Sequence, residues 1–308
     1  MNGNYQAWGL WEFLVFAIII VIIILVLMQW SYNKSLFAPS NLITPLNECD
    51  YQNLYIGTQT ETVRTTKTTT EDSINVWFFN NYSGAKVIVF FHGNSGNISN
   101  RDYVIDICKA FKLNLLLVDY RGYGQSDAQP NLGYLPQDGE IAYRFIRKYF
   151  KPKDIVIWGE SLGGAVATYV AAKNKCRCLI LLSTFSSLSD VVEYYKEIGS
   201  FPKKTIKAFI ALTGNELNSK EWIEFVKAPV LQIHSIEDDL IDMKSAKLLF
   251  NNVKSARKFI QIKGAHSKPQ ITSKQLKEVF DFVGVRSKVD LRGLTQRLEK
   301  VAKEHQWG

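Results

Sequence analysis

Histidine is scarce in this 308-residue chain: there are four, so a site that needs an imidazole has few candidates. The four cysteines, Cys49, Cys108, Cys176 and Cys178, form no C-x-x-C and no Cys/His spacing suited to zinc. They read as buried free thiols, and neither a metal nor an organic cofactor is implied. The sequence also lacks internal repeats, low-complexity tracts and the arginine–aromatic interleaving of a nucleic-acid binder, so no nucleic-acid partner is expected. No Lys or Arg precedes Lys34. A secretory signal peptide would need such a charge in its n-region, and "SYNKSLFAPS" offers no small-x-small cleavage site.

What stands there instead is the run "FLVFAIIIVIIILVLM" at 13–28, free of polar residues and flanked by Trp8, Trp11, Trp30 and Tyr32. A membrane-spanning helix needs about 20 mainly apolar residues, with tryptophan and tyrosine at its two interfaces. The segment reads as a retained single-pass anchor, residues 1–32. Lys34 on its C-terminal flank favours a cytoplasmic side for the domain beyond it. Charge is uneven: the net +8 of the chain is carried by residues 254–308, and the rest balances. That basic segment reads as a solvated helix face, with docking on anionic lipid as the alternative.

After a polar connector at 33–58, the runs "TVRTTKT" and "INVWFF" flank Glu71-Asp72-Ser73 and predict an antiparallel hairpin. Apolar strands such as "KVIVFF", "NLLLVDY", "IVIW", "CLILLS" and "PVLQIH" then alternate with helical patterns. This rhythm predicts an α/β domain over 59–286, a mostly parallel sheet covered on both faces. A strand-poor interval at about 184–228 suggests a small helical cap, and 287–308 a basic helical tail.

Ligands and catalytic groups of such sheets gather at the carboxyl ends of the strands. Three stretches there carry chemistry. In "IVIWGESLGG", Ser161 lies between Gly159 and Gly163, the G-x-S-x-G pattern of a nucleophile elbow. In "FFHGNSGN", the turn after Phe91 can aim a backbone N–H at a carbonyl oxygen under attack, with Leu162, the residue after the serine, as second donor. A base must follow an acid in the chain for this elbow, which leaves His266 in "KGAHSKP", since His305 lies at the tail end. Asp119 and Arg121 in "DYRGYG" read as parts of a structural turn.

Together "FFHGNSGNISNR", "LNLLLVDYRGYGQSD", "IWGESLGGAVA", "HSIEDDLID" and "GAHS" resemble membrane-anchored serine hydrolases of the alpha/beta hydrolase fold, from about Lys34 to Val285. The resemblance implies a catalytic triad of Ser161 as nucleophile, Asp238 as acid and His266 as base, with Asn94 and Leu162 forming the oxyanion hole. Its spacing of four residues from His234 to the acid selects Asp238 over Asp239, which is expected to face solvent or cap the next helix. Ser235 stands where the family often has Gly, and Ser267 where it often has Asn or Asp. The implied activity is hydrolysis of an ester or thioester, such as a lipid or a lipidated protein at a membrane. A catalytically silent, membrane-anchored binding protein of the same fold is the alternative.

Overall fold

The computed structural model describes residues 10–44, 46, 50–194, 202–213, 217–285 and 291–304. Cys49 and His305 lie outside them. A long helix, α1 (Leu10–Leu36), leads into a two-residue strand, β1 (Ala38–Pro39). Then come β2 (Gln52–Gly57), β3 (Val63–Arg64), β4 (Ser73–Phe79), β5 (Val87–Phe91) and β6 (Ser95–Gly96). Strand–helix alternation begins with α2 (Asp102–Phe111), β7 (Asn114–Asp119), α3 (Leu135–Ile146), β8 (Ile155–Glu160), α4 (Leu162–Lys173) and β9 (Cys178–Leu182). The interval expected as a cap holds α5 (Leu188–Tyr194), α6 (Lys203–Thr213) and α7 (Ser219–Trp222). The chain returns to the sheet with β10 (Val230–Ser235), α8 (Met243–Asn251) and β11 (Arg257–Ile262), followed by α9 (Ser273–Val283) and α10 (Leu291–Glu304).

Among the described residues the main sheet has nine strands in the order β11-β10-β9-β8-β5-β7-β4-β2-β3. The six from β11 to β7 run parallel, and β4, β2 and β3 continue antiparallel. Burial explains the near-continuous apolar runs: every residue of β5, β7, β8 and β9 is buried, because helices cover both faces. Phe91, Val118 and Leu181 pack with Ala142 and Val166 on one face, while Phe90, Leu117 and Ile180 pack with Val104 and Phe280 on the other. Strand order reverses beside β5, whose neighbours are β8 and β7. That puts a crevice beyond the carboxyl ends of β5 and β8.

The hairpin expectation needs correction. "INVWFF" pairs with β2 and not with "TVRTTKT", of which only Val63 and Arg64 are in a strand, also against β2. The stretch expected as connector therefore contributes a strand to the sheet. The reason is local: Leu54, Tyr55 and Ile56 bury their side chains, and the polar residues flanking them masked a three-residue apolar core.

In α1 the side chains of Phe16, Ile18, Ile22 and Val26 are exposed. Among the described residues no helix is long and apolar enough to cross a membrane. The basic tail helix α10 is amphipathic: it turns Leu294 and Leu298 inward against α2 and α9 and leaves Arg292 and Arg297 exposed. Ser273 Oγ and Thr295 Oγ1, 2.9 Å apart, tie it to the start of α9.

Candidate active site

Ser161 sits between the end of β8 and the start of α4 with φ 53° and ψ −119°, a backbone conformation that non-glycine residues avoid. Close packing of strand on helix forces the flanking glycines. A Cβ on Gly159 would lie 2.3 Å from the Gly163 carbonyl oxygen, and one on Gly163 would lie 2.1 Å from that of Phe91. The turn is pinned by the Ser161 N–H donating to Leu182 O (2.9 Å) and by the Thr184 hydroxyl donating to Ser161 O (2.7 Å). The hydroxyl of Ser161 is thereby held out at the sheet edge.

His266 meets it there. Its Nε2 is 2.9 Å from Ser161 Oγ, while its Nδ1 is 2.9 Å and 3.0 Å from the two carboxylate oxygens of Asp238. The imidazole is 8% exposed and the Asp238 side chain 1%, so water competes little for these bonds. Asp238 also accepts from the N–H groups of Leu240 (3.0 Å) and Ile241 (2.8 Å). Burial works to raise its pKa, but the hydrogen bond and charge of His266 and the Ile241 N–H outweigh it and hold the carboxyl below its usual range. The arrangement favours an imidazole protonated at Nδ1, leaving Nε2 free to accept the serine proton.

Asp239 is exposed, as expected, and does not cap α8. Its Oδ1 accepts the backbone N–H of His266 (2.9 Å), and the cap of α8 is Asp242, which accepts from the Lys244 N–H (2.6 Å). Glu237 Oε2 likewise accepts the Gly264 N–H (2.8 Å), and the Ser235 hydroxyl donates to Gly264 O. Serine rather than glycine at 235 is thus used as a tie. Four side chains at and after the end of β10, Ser235, Glu237, Asp238 and Asp239, hold the loop that carries His266. Sequence reading missed Glu237 and Asp239 in this role; the run of three acids after a strand end was the visible signal.

The loop after β5 lies against the nucleophile: a Cβ on Gly93 would be 3.4 Å from Ser161 Cβ. Its hold comes from the far N-terminal part of the chain. Asn94 donates its side-chain Nδ2 to the Leu36 carbonyl at the end of α1 (2.9 Å), and its own carbonyl accepts from Ala38 N–H (3.0 Å) and the Tyr123 hydroxyl (2.8 Å). Ser40 N–H donates to Gly96 O (3.0 Å), completing a parallel pairing of β1 with β6. With its side chain committed to Leu36, Asn94 can serve an oxyanion only through its backbone N–H. Leu162 is the first residue of α4, where a backbone N–H has no intrahelical acceptor.

Asp119 and Arg121 are structural. Asp119 accepts the Ile98 N–H (3.0 Å) and lies 3.1 Å from His92 Nε2; Arg121 pairs with buried Asp138 (2.7 Å) and stacks on Tyr134. His234, fully buried, lies 3.0 Å from Ile241 O through Nε2, and burial lowers its pKa.

The alpha/beta hydrolase fold family matches residues 86–204. Protein bem46 of Schizosaccharomyces pombe is 28% identical over 259 residues, 79% of this chain and 80% of that protein. The lysophosphatidylserine lipase ABHD12 of Danio rerio is 26% identical over 57% of this chain, spanning 49% of that protein. The uncharacterized membrane protein YNL320W of Saccharomyces cerevisiae is 28% identical over 62% of this chain and 68% of that protein. Among solved structures, the Pyrococcus furiosus esterase Pf2001 superposes with a TM-score of 0.58 at 17% identity, covering 88% of this chain and 99% of that one. Sheet order, elbow and these comparisons give the chain the alpha/beta hydrolase fold, and the relatives support a serine hydrolase of the esterase and lipase class.

Proposed function

We propose that this protein hydrolyses a carboxylic ester or thioester through an acyl-enzyme, with Ser161 as nucleophile, His266 as base and Asp238 as the acid that orients it. The observation that carries the reading is the position of one imidazole, 2.9 Å from Ser161 Oγ on one side and 2.9 Å from Asp238 on the other. Ser161 Oγ attacks the acyl carbon as its proton passes to His266 Nε2. The carbonyl oxygen becomes an oxyanion facing the backbone N–H groups of Asn94 and Leu162, each such donor being worth about 3 to 4 kcal/mol. Collapse expels the alcohol or thiol, which takes the proton from His266. Water then attacks the acyl-serine, giving its proton to His266, and a carboxylic acid leaves as the serine is restored. Asp238 remains a carboxylate and stabilises the imidazolium.

The substrate class is an acyl chain on a lipid or a lipidated protein, and α1 is a membrane anchor. Three things support this: the exposed apolar side chains of α1, which ask for an apolar cover; the lipase among the relatives; and the relative named as a membrane protein. A fluorophosphonate probe tests the chemistry. Labelling of the folded chain that disappears in Ser161→Ala is expected. A folded protein that resists the probe would leave only a silent binding protein of the same fold.

A further inference from the structure

On the sheet face away from α3 and α4 lies a cavity of about 320 Å³ that the triad chemistry does not use. Trp158, Ile233 and Ile262 of β8, β10 and β11 form its floor, Ile107 of α2 one wall, and Leu298 of α10 its roof. Lys268, exposed and two residues beyond His266, stands in its lining. The basic tail helix, which has no part in the triad, closes one side of it through Thr295 and Leu298.

The chemistry of the lining selects a ligand. Most of it is apolar, and apolar cavities stay dry: one of about 150 Å³ takes a benzene, so roughly twice that volume suits about a dozen carbons. Two of its polar groups are already spent, the Tyr103 hydroxyl on Glu160 and the Thr295 hydroxyl on Leu291 O (2.9 Å). Lys268 is a cationic donor beside these apolar walls, which asks for an occupant with carbon bulk and an anionic oxygen.

We infer that this cavity binds a medium-chain carboxylate, its carbon chain among Ile107, Ile233, Ile262 and Leu298 and its oxygens answering Lys268. The site needs nothing from Ser161 and stands apart from the hydrolase reading. Dodecanoate titrated into the full chain in lipid nanodiscs, followed by displacement of the fluorescent acid cis-parinarate with empty discs as blank, tests it. Saturable binding at one site is expected, unchanged after Ser161 is capped with a fluorophosphonate. Filling the cavity by Leu298→Trp, or from the opposite wall by Ile107→Trp, should weaken binding at least tenfold in variants whose near-UV circular dichroism is native. Lys268→Glu should weaken dodecanoate similarly while moving dodecanol by less than twofold. No saturable binding by the wild-type chain, or binding unmoved in a folded fill variant, overturns the site. Loss of binding on capping overturns it too, because it would put the acid in the catalytic groove. Failure of the probe to label tells against the hydrolase reading alone and leaves the titration and fill variants to decide the cavity.

Discussion

The two walls of the candidate active site are held in opposite ways. The wall that carries His266 is tied by charged and hydroxyl side chains of its sequence neighbour in the sheet: Ser235, Glu237, Asp238 and Asp239 after β10 all reach the loop after β11. The wall that carries Asn94 is tied by backbone and amide groups of a remote segment, Leu36 to Ser40, at the exit of α1. A base must be oriented but also change charge during turnover, and carboxylates suit both tasks. An oxyanion donor must only keep its direction, and a short strand pairing does that without adding charge near the developing oxyanion. The first wall is self-contained within the last third of the chain; the second depends on the segment Leu36 to Ser40 at the exit of α1.

Breaking the first wall at its centre should have the largest effect. Asp238→Asn is expected to keep the fold and lower turnover on the order of 10⁴-fold, because an amide favours the wrong imidazole tautomer. Steady-state hydrolysis of an activated ester measures it. Breaking the second wall comes next: a chain that begins at residue 41 lacks the Leu36 and Ala38 ties and should lose roughly 10²-fold in kcat, the scale of one misaligned oxyanion donor. A chain that begins at residue 33 keeps them and should match the full chain. An unchanged KM in the shorter chain would separate misalignment from lost substrate binding.

Sharper still is the contrast between adjacent carboxylates. Asp239→Asn retains an oxygen that can accept the His266 N–H and should cost at most about tenfold, or roughly 1.4 kcal/mol. A ranking in which it exceeds Asp238→Asn would move the acid to Asp239. The smallest effect is on stability. Because the folded pKa of Asp238 is depressed, its contribution is fully present above the unfolded value of about 3.9 and is lost as pH falls through the lower folded value. The difference in urea midpoint between wild type and Asp238→Asn should shrink between pH 5 and pH 3, on the order of the loss of one charge-assisted bond.

Legibility in the sequence followed the range of the interactions. The elbow was readable because its pattern is local: two glycines bracket one serine, Gly159 forced by contacts within the strand–turn–helix unit and Gly163 by the neighbouring strand β5. The parallel strands were readable because burial on both faces leaves unbroken apolar runs. The Asp239 tie was missed because its partner is a backbone N–H on another loop, and no side-chain pattern marks that. The β1–β6 pairing joins Ala38 and Pro39 to Ser95 and Gly96, and two residues are too few to show a period. β2 was lost for a similar reason, its apolar core being only three residues long.

The left-handed backbone of Ser161 has a thermodynamic consequence. A non-glycine residue held at φ 53° and ψ −119° stores about 1 to 3 kcal/mol that the rest of the fold must outweigh. Glycine relaxes there, so Ser161→Gly should melt higher than Ser161→Ala, by roughly 1 kcal/mol after glycine's extra chain entropy is counted. Both variants lose the hydroxyl, and differential scanning calorimetry of the pair isolates the strain. Natural selection for stability alone would have placed glycine at 161; the tension in that one residue is the measurable trace of selection for reaction.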